Sequence, residues 1–186
     1  MNFESYLKAA GKGDAQAQYN LGNCFYYGKE VEKDNAQAVV WWRLAAEQGN
    51  AQAQCNLGYC YCYGGGVAQD YVQAVKWSRK AADQGLAKAQ FNLGQFYFHG
   101  EGVAQDYVQA VKWYHKAAVI RPLTRNHNCV ENAAYRLSCC YSSGVGVLKD
   151  EAMAEHFFSL LDRQRWSWLP VYRDDHWLEL PINNFS

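Results

Sequence analysis

The chain lacks most of what would announce a nucleic-acid binder, a membrane protein or an enzyme. Its 18 basic and 18 acidic side chains cancel, so no net field gathers phosphates at physiological salt, and nucleic acid is not the expected partner. No stretch approaches the roughly eighteen apolar residues of a membrane span. The opening MNFESYLKAAGKGD carries acidic and polar residues where a secretory signal needs an unbroken apolar run. The expectation is a soluble, cytoplasmic protein with no membrane partner. Seven cysteines (Cys24, Cys55, Cys60, Cys62, Cys129, Cys139, Cys140) are an odd number. That argues against a complete disulfide framework and for small, semi-buried hydrophobes in a reducing compartment.

Catalytic and metal-binding patterns are missing as well. The GGG at Gly64 to Gly66 closes a helix rather than joining a strand to one, so it is no phosphate loop. His127 and Cys129, with Cys139 and Cys140, follow no familiar Cys/His spacing. Adjacent cysteines on a helix also point about 100° apart. Asp174, Asp175 and His176 stand without a nucleophile motif and read as tail residues. His99 and His115, on the two helices of one unit, read as structural. The expectation is a protein that is not an enzyme, with no cofactor, no metal and no catalytic residue.

Aromatic residues and repetition are what the chain does have. Fourteen tyrosines and seven tryptophans bring the aromatic share to 16%, more than a core of this size needs, so some rings belong on a binding surface. The string GVAQDYVQAVKW occurs at 66–77 and again at 102–113, 36 residues on. At that offset Leu21, Leu57 and Leu93 align, as do Gly22, Gly58 and Gly94; Gly28, Gly64 and Gly100; Asp34, Asp70 and Asp106; and Trp41, Trp77 and Trp113. A fixed period of this length is the mark of a solenoid. A degenerate fourth copy follows an eight-residue insertion, with Leu137, Gly144, Asp150 and Phe157 in register and Ser138 in place of glycine. Ala9, Ala10 and Gly13 match Ala45, Ala46 and Gly49, so the array opens on a half unit.

Each unit reads as two antiparallel helices. In the first, Ala17, Leu21 and Phe25 form an apolar stripe that stops at Gly28. In the second, Asp34/Gln37, Asp70/Gln73 and Asp106/Gln109 read as capping boxes. Ala74, Trp77 and Ala81 then face inward while Lys76, Arg79 and Lys80 face water. Gly58 and Gly94 in mid-helix cost roughly 1 kcal/mol each relative to alanine, which calls for another helix packed close against them. Glu30, standing where Gly66, Gly102 and Gly146 recur, predicts a first turn of different shape.

The pattern A-x-A-x-x-x-L-G…G-x-G-V…D…A…W…A-A…G over about residues 4–163 resembles the Sel-one-like repeat, a longer relative of the tetratricopeptide repeat. The resemblance implies an all-α, right-handed α/α superhelix of about four 36-residue helix pairs. The corresponding division is an array at 1–164, comprising a half-repeat at 4–13 and repeats at 14–49, 50–85, 86–121 and 130–164, then a C-terminal capping tail at 165–186. It also implies a scaffold or adaptor in bacterial protein complexes. Some secreted members brace the two helices of a repeat with a disulfide, and a β-lactam-hydrolysing activity has been proposed for some relatives. Here Cys55, Cys60 and Cys62 share one helix and no second helix carries a cysteine, which counts against that version.

In such a solenoid the first helices line the concave side. The inward positions are then Tyr19, Asn23, Tyr26 and Tyr27 in unit one; Cys55, Tyr59, Cys62 and Tyr63 in unit two; Phe91, Gln95, Phe98 and His99 in unit three; and Tyr135 in unit four. Two readings stand: an uncharged aromatic groove for a protein partner, or rings that only thicken the core between repeats. The insertion at 119–131 is either a specificity loop or a plain spacer. The tail, with three tryptophans among its 22 residues, either covers the last helix, or folds into the groove or supplies part of the partner surface. The favoured function is a non-catalytic module that binds a protein partner through the aromatic concave groove and the 119–131 insertion, in its sharpest form a bacterial immunity protein that neutralises a toxin. The alternatives are an adaptor in a secretion or regulatory complex and a β-lactam-hydrolysing enzyme.

Overall fold

The computed structural model describes residues 2–119 and 128–161, and all the regular structure among them is helical. The helices are α1 (Phe3–Ala10), α2 (Ala15–Tyr27), α3 (Asn35–Glu47), α4 (Ala51–Tyr63), α5 (Tyr71–Asp83), α6 (Ala87–His99), α7 (Tyr107–Val119), α8 (Asn128–Ser143) and α9 (Glu151–Ser159). α2 with α3, α4 with α5, α6 with α7 and α8 with α9 pack as pairs, and each pair stacks on the next. This is the all-α repeat array expected from the period.

Local chemistry sets where each helix begins and ends. Asp34, Asp70, Asp106 and Asp150 each accept, through Oδ1, the backbone N–H three residues on, at 2.9 to 3.0 Å. The reciprocal half of the expected capping box is not made. The aspartate N–H instead donates to the carbonyl of Phe25, Tyr61, Tyr97 or Tyr141 on the preceding helix, at 2.8 to 3.0 Å. That bond fixes the angle of the helix hairpin as well as its cap, and leaves the glutamine nothing to cap. At the other end Gly28, Gly64, Gly100 and Gly144 turn the chain left-handed, with φ between 66° and 77°.

The turn glycines dock each unit on the one before. A Cβ on Gly66, Gly102 or Gly146 would stand 2.3, 2.2 or 2.4 Å from the carbonyl oxygen of Asn35, Tyr71 or Tyr107, at the start of the preceding second helix. Glu30 occupies the same place and, contrary to the sequence expectation, takes the same left-handed conformation, with φ 62°. α1 begins too late to offer that carbonyl. The Glu30 carboxylate instead accepts the N–H of Phe3 at 2.9 Å, so the side chain that would clash elsewhere caps α1 here.

The recurring aromatic of the second helix also points backward. Trp77 joins the cluster of α3 and α4, Trp113 that of α5 and α6, and Phe157 that of α7 and α8. Burying one such side chain contributes roughly 3 kcal/mol. Polar ladders run beside these rings. Buried Gln18, Gln54 and Gln90 donate to the carbonyls of Ala10, Ala46 and Ala82, and Gln48 and Gln84 donate at 2.8 Å to Gln18 and Gln54. Arg43, Arg79 and His115 bond the hydroxyls of Tyr61, Tyr97 and Tyr141 one unit on.

Candidate functional site

α2, α4, α6 and α8, the first helices of the units, form one side of the array. Between units three and four the first helices approach most closely, α6 meeting α8 directly where α7 and α9 have no comparable contact; the side that carries the first helices is called the inner face. This is the side on which the sequence places its binding residues.

Beneath that side each mid-helix glycine receives a side chain from its partner helix. Gly22 faces Trp42, Gly58 faces Ser78 and Gly94 faces Tyr114, which is the close packing expected at Gly58 and Gly94. Trp42 Nε1 donates to the Tyr19 carbonyl at 3.3 Å and to Asn23 Oδ1 at 3.2 Å. Tyr114 donates its hydroxyl to Gln95 Oε1 at 2.5 Å. Asn23 and Gln95 are therefore committed to the fold. Tyr19, Phe91 and Tyr135 are half-buried against the core.

Unit two reverses the arrangement. Cys55 and Ser78 are small where units one and three carry Tyr19 and Phe91 on the first helix and Trp42 and Tyr114 on the second, while Tyr59 is large where they carry Asn23 and Gln95. The ring has moved from the buried side of the second helix to the open side of the first. Tyr59 is 41% exposed and Tyr63 49%, with their centroids 4.6 Å apart. In unit one, Tyr26 lies on Trp42 at 5.2 Å and edge-on to Tyr27 at 5.0 Å, leaving Tyr27 63% exposed. The result is an open tyrosine surface across α2 and α4.

Unit three corrects one sequence assignment. Phe98 is only 7% exposed, because Tyr107 closes on it edge-on at 5.1 Å and the Arg136 guanidinium covers its ring at 5.7 Å. Phe98 is a core residue beneath the inner face. His99 packs edge-on to Phe98 at 5.2 Å, and its buried Nε2 has no hydrogen-bond partner among the described residues. Burial, and then Arg136, lower its pKa from the usual 6.5.

Two cations on this side escaped the sequence reading. Lys88 Nζ lies 5.7 Å above the Tyr59 ring, and Arg136 lies over Phe98, each reaching back one unit from its own first helix. Their signal was available. Lys88 stands where Gln16 and Gln52 recur, and Arg136 where Asn20, Asn56 and Asn92 recur.

The thiols are not poised as nucleophiles. Burial pushes Cys55, Cys60 and Cys62 each up to about 11, so they stay protonated near neutrality. Burial, with Cys62, Tyr59 and Glu101 nearby, likewise pushes Tyr63 up to about 12. No group of three His, Cys, Asp or Glu side chains suited to a metal occurs among the described residues, and no described helix is long and apolar enough to cross a membrane. The insertion is helical at both ends, since α7 runs to Val119 and α8 starts at Asn128. The remainder of it, with His127, lies outside the described residues, as does the tail at 165–186 with Asp174, Asp175 and His176.

Comparison with known proteins agrees with this geometry. The Sel1 repeat profile matches residues 15–50, 51–86, 87–118 and 132–160. A protective antigen of uropathogenic Escherichia coli with an SLR fold is 40% identical, with a TM-score of 0.79 over 86% of this chain. A Sel1 repeat protein from Oxalobacter formigenes is 34% identical, with a TM-score of 0.74 over 84% of this chain. The chain spans 32% of the first of these proteins and 59% of the second. No curated protein matches it. On four profile matches and two solved relatives, the chain belongs to the Sel1 repeat family, whose members serve as protein-interaction modules.

Proposed function

We propose that this protein is a non-catalytic binder that holds a partner protein along the inner face of α2, α4, α6 and α8. One observation carries the reading: Tyr27, Tyr59 and Tyr63 stay well exposed on that face, although the same array buries Trp77, Trp113 and Phe157. Tyrosine gives a large contact area at small entropic cost and a hydroxyl for hydrogen bonding, which suits it to the centre of an interface. The raised thiol pKa values support a role without nucleophilic chemistry. The clustering of three cysteines on α4 supports a reducing, cytoplasmic setting.

The test is a pull-down from the native lysate with wild-type protein and the Tyr59→Ala, Tyr63→Ala double variant as baits. The expected result is one stoichiometric partner, lost with the variant while helicity by circular dichroism is unchanged. Equal recovery by both baits places the partner elsewhere. Within this reading, a toxin as the captured protein makes the chain an immunity protein, and a component of a secretion or regulatory assembly makes it an adaptor. Turnover of nitrocefin by the purified protein would instead favour the β-lactam-hydrolysing alternative.

A further inference from the structure

We infer that the segment held on the inner face is acidic, its carboxylates meeting Lys88 and Arg136 while its apolar groups lie on Tyr59 and Tyr63. This rests on the reading of that face as the partner surface. The charge carried by the first helices points to it. α2 and α4 have no charged residue, α6 has Lys88, and α8 has Arg136 and Glu131. Glu131 is already engaged, and the ion pair of Lys149 with Glu151 at 3.6 Å lies elsewhere. The contacts described for Lys88 and Arg136 are with the rings of Tyr59 and Phe98.

Six acids of the array hold backbone N–H groups. Asp14, Asp34, Asp70, Asp106 and Asp150 cap helices, and Glu30 holds the Phe3 N–H. Glu101 sits in the turn after α6, beside Cys62 and Tyr63, at the opposite helix end from Lys88. Lys88, near the start of α6, and Arg136, within α8, bring positive charge to this side of a chain of zero net charge. A cation over an aromatic face is only partly satisfied there, and it remains free to form a charge-assisted hydrogen bond with an incoming carboxylate. Complementarity of this kind selects the partner and speeds its arrival more than it tightens the complex.

The experiment uses size-matched random copolymers of glutamate with tyrosine and of lysine with tyrosine, each fluorescently labelled and titrated by anisotropy. Wild-type protein is compared with Lys88→Gln, Arg136→Asn, which restores the residues of the other units. The control is Lys76→Gln, Lys112→Gln on the second helices, which removes the same charge from the outer side. The expected result is that the acidic copolymer binds wild type and the control alike, at least tenfold more weakly to the inner-face variant, and that the basic copolymer does not bind. No binding of the acidic copolymer, equal binding to the inner-face variant, or an equal loss with the outer control would overturn the proposal. The Tyr59→Ala, Tyr63→Ala variant separates the two readings. Binding lost with the tyrosines but not with the cations keeps the inner face and removes its preference for acid, whereas binding indifferent to both overturns each.

Discussion

Gly22 and Trp42 are a fitted pair: a Cβ on Gly22 would stand 2.5 Å from Cδ1 of the indole. Gly94 and Tyr114 repeat the relationship, with Tyr114 Cε1 also at 2.5 Å. Gly94→Ala is expected to lower stability by about 1 to 3 kcal/mol through overpacking, outweighing the roughly 1 kcal/mol that alanine returns as the better helix former. Urea unfolding measures this directly. A rise in midpoint would mean that the tyrosine can step aside.

Ser78 gives the opposite sign. Its Oγ is buried without a partner among the described residues, and a buried unsatisfied hydroxyl costs about 1 kcal/mol or more. Ser78→Ala should therefore raise the urea midpoint at constant m-value. A fall in the midpoint would show that the hydroxyl is held after all.

Phe98 and Tyr63 separate core from surface on the same side of the array. Phe98→Ala should cost about 3 to 5 kcal/mol, as for other buried rings. Tyr63→Ala should cost under about 1 kcal/mol and act on partner binding instead. If the two variants unfold together, the inner face has no surface distinct from its core.

Acid should weaken the fold before its carboxylates titrate. Burial lowers the pKa of His115, and burial with Arg136 lowers that of His99, both from 6.5. The unfolded chain then binds more protons than the folded one just below that value, so stability falls as pH drops from about 7.5 towards 5.5. Glu101, whose pKa burial raises from 4.5, acts in the opposite sense in a lower window. Replacing both histidines with glutamine should flatten the slope of urea midpoint against pH, whatever it does to absolute stability. An unchanged slope would mean that other groups titrate.

The helix pairs, their caps and the recurring Trp77 and Trp113 were legible in the sequence because each reports geometry local to one unit and recurs as the same letter. Trp42, Ser78 and Tyr114 share one place in the fold but no shared letter, so alignment of the units passes over them in favour of Trp41. What links them is volume. Where the second helix carries a ring, the first carries Asn23 or Gln95; where it carries Ser78, the first carries Tyr59. Sameness between units reveals the scaffold, whereas the exposed tyrosine surface arises from compensation between two helices. Phe98 was misplaced for a related reason: its cover comes from Arg136 on the next unit and Tyr107 on the next helix, which periodicity within one helix does not contain.

The turn glycines and the recurring ring of each second helix both look back to the unit before. Gly102 rests on Tyr71, and Trp113 enters the cluster of α5 and α6. During synthesis, when the N-terminal part leaves the ribosome first, every new hairpin emerges onto a seat that is already built. The array has an order of assembly written into it that matches the order of translation, and each unit can close before the next one exists.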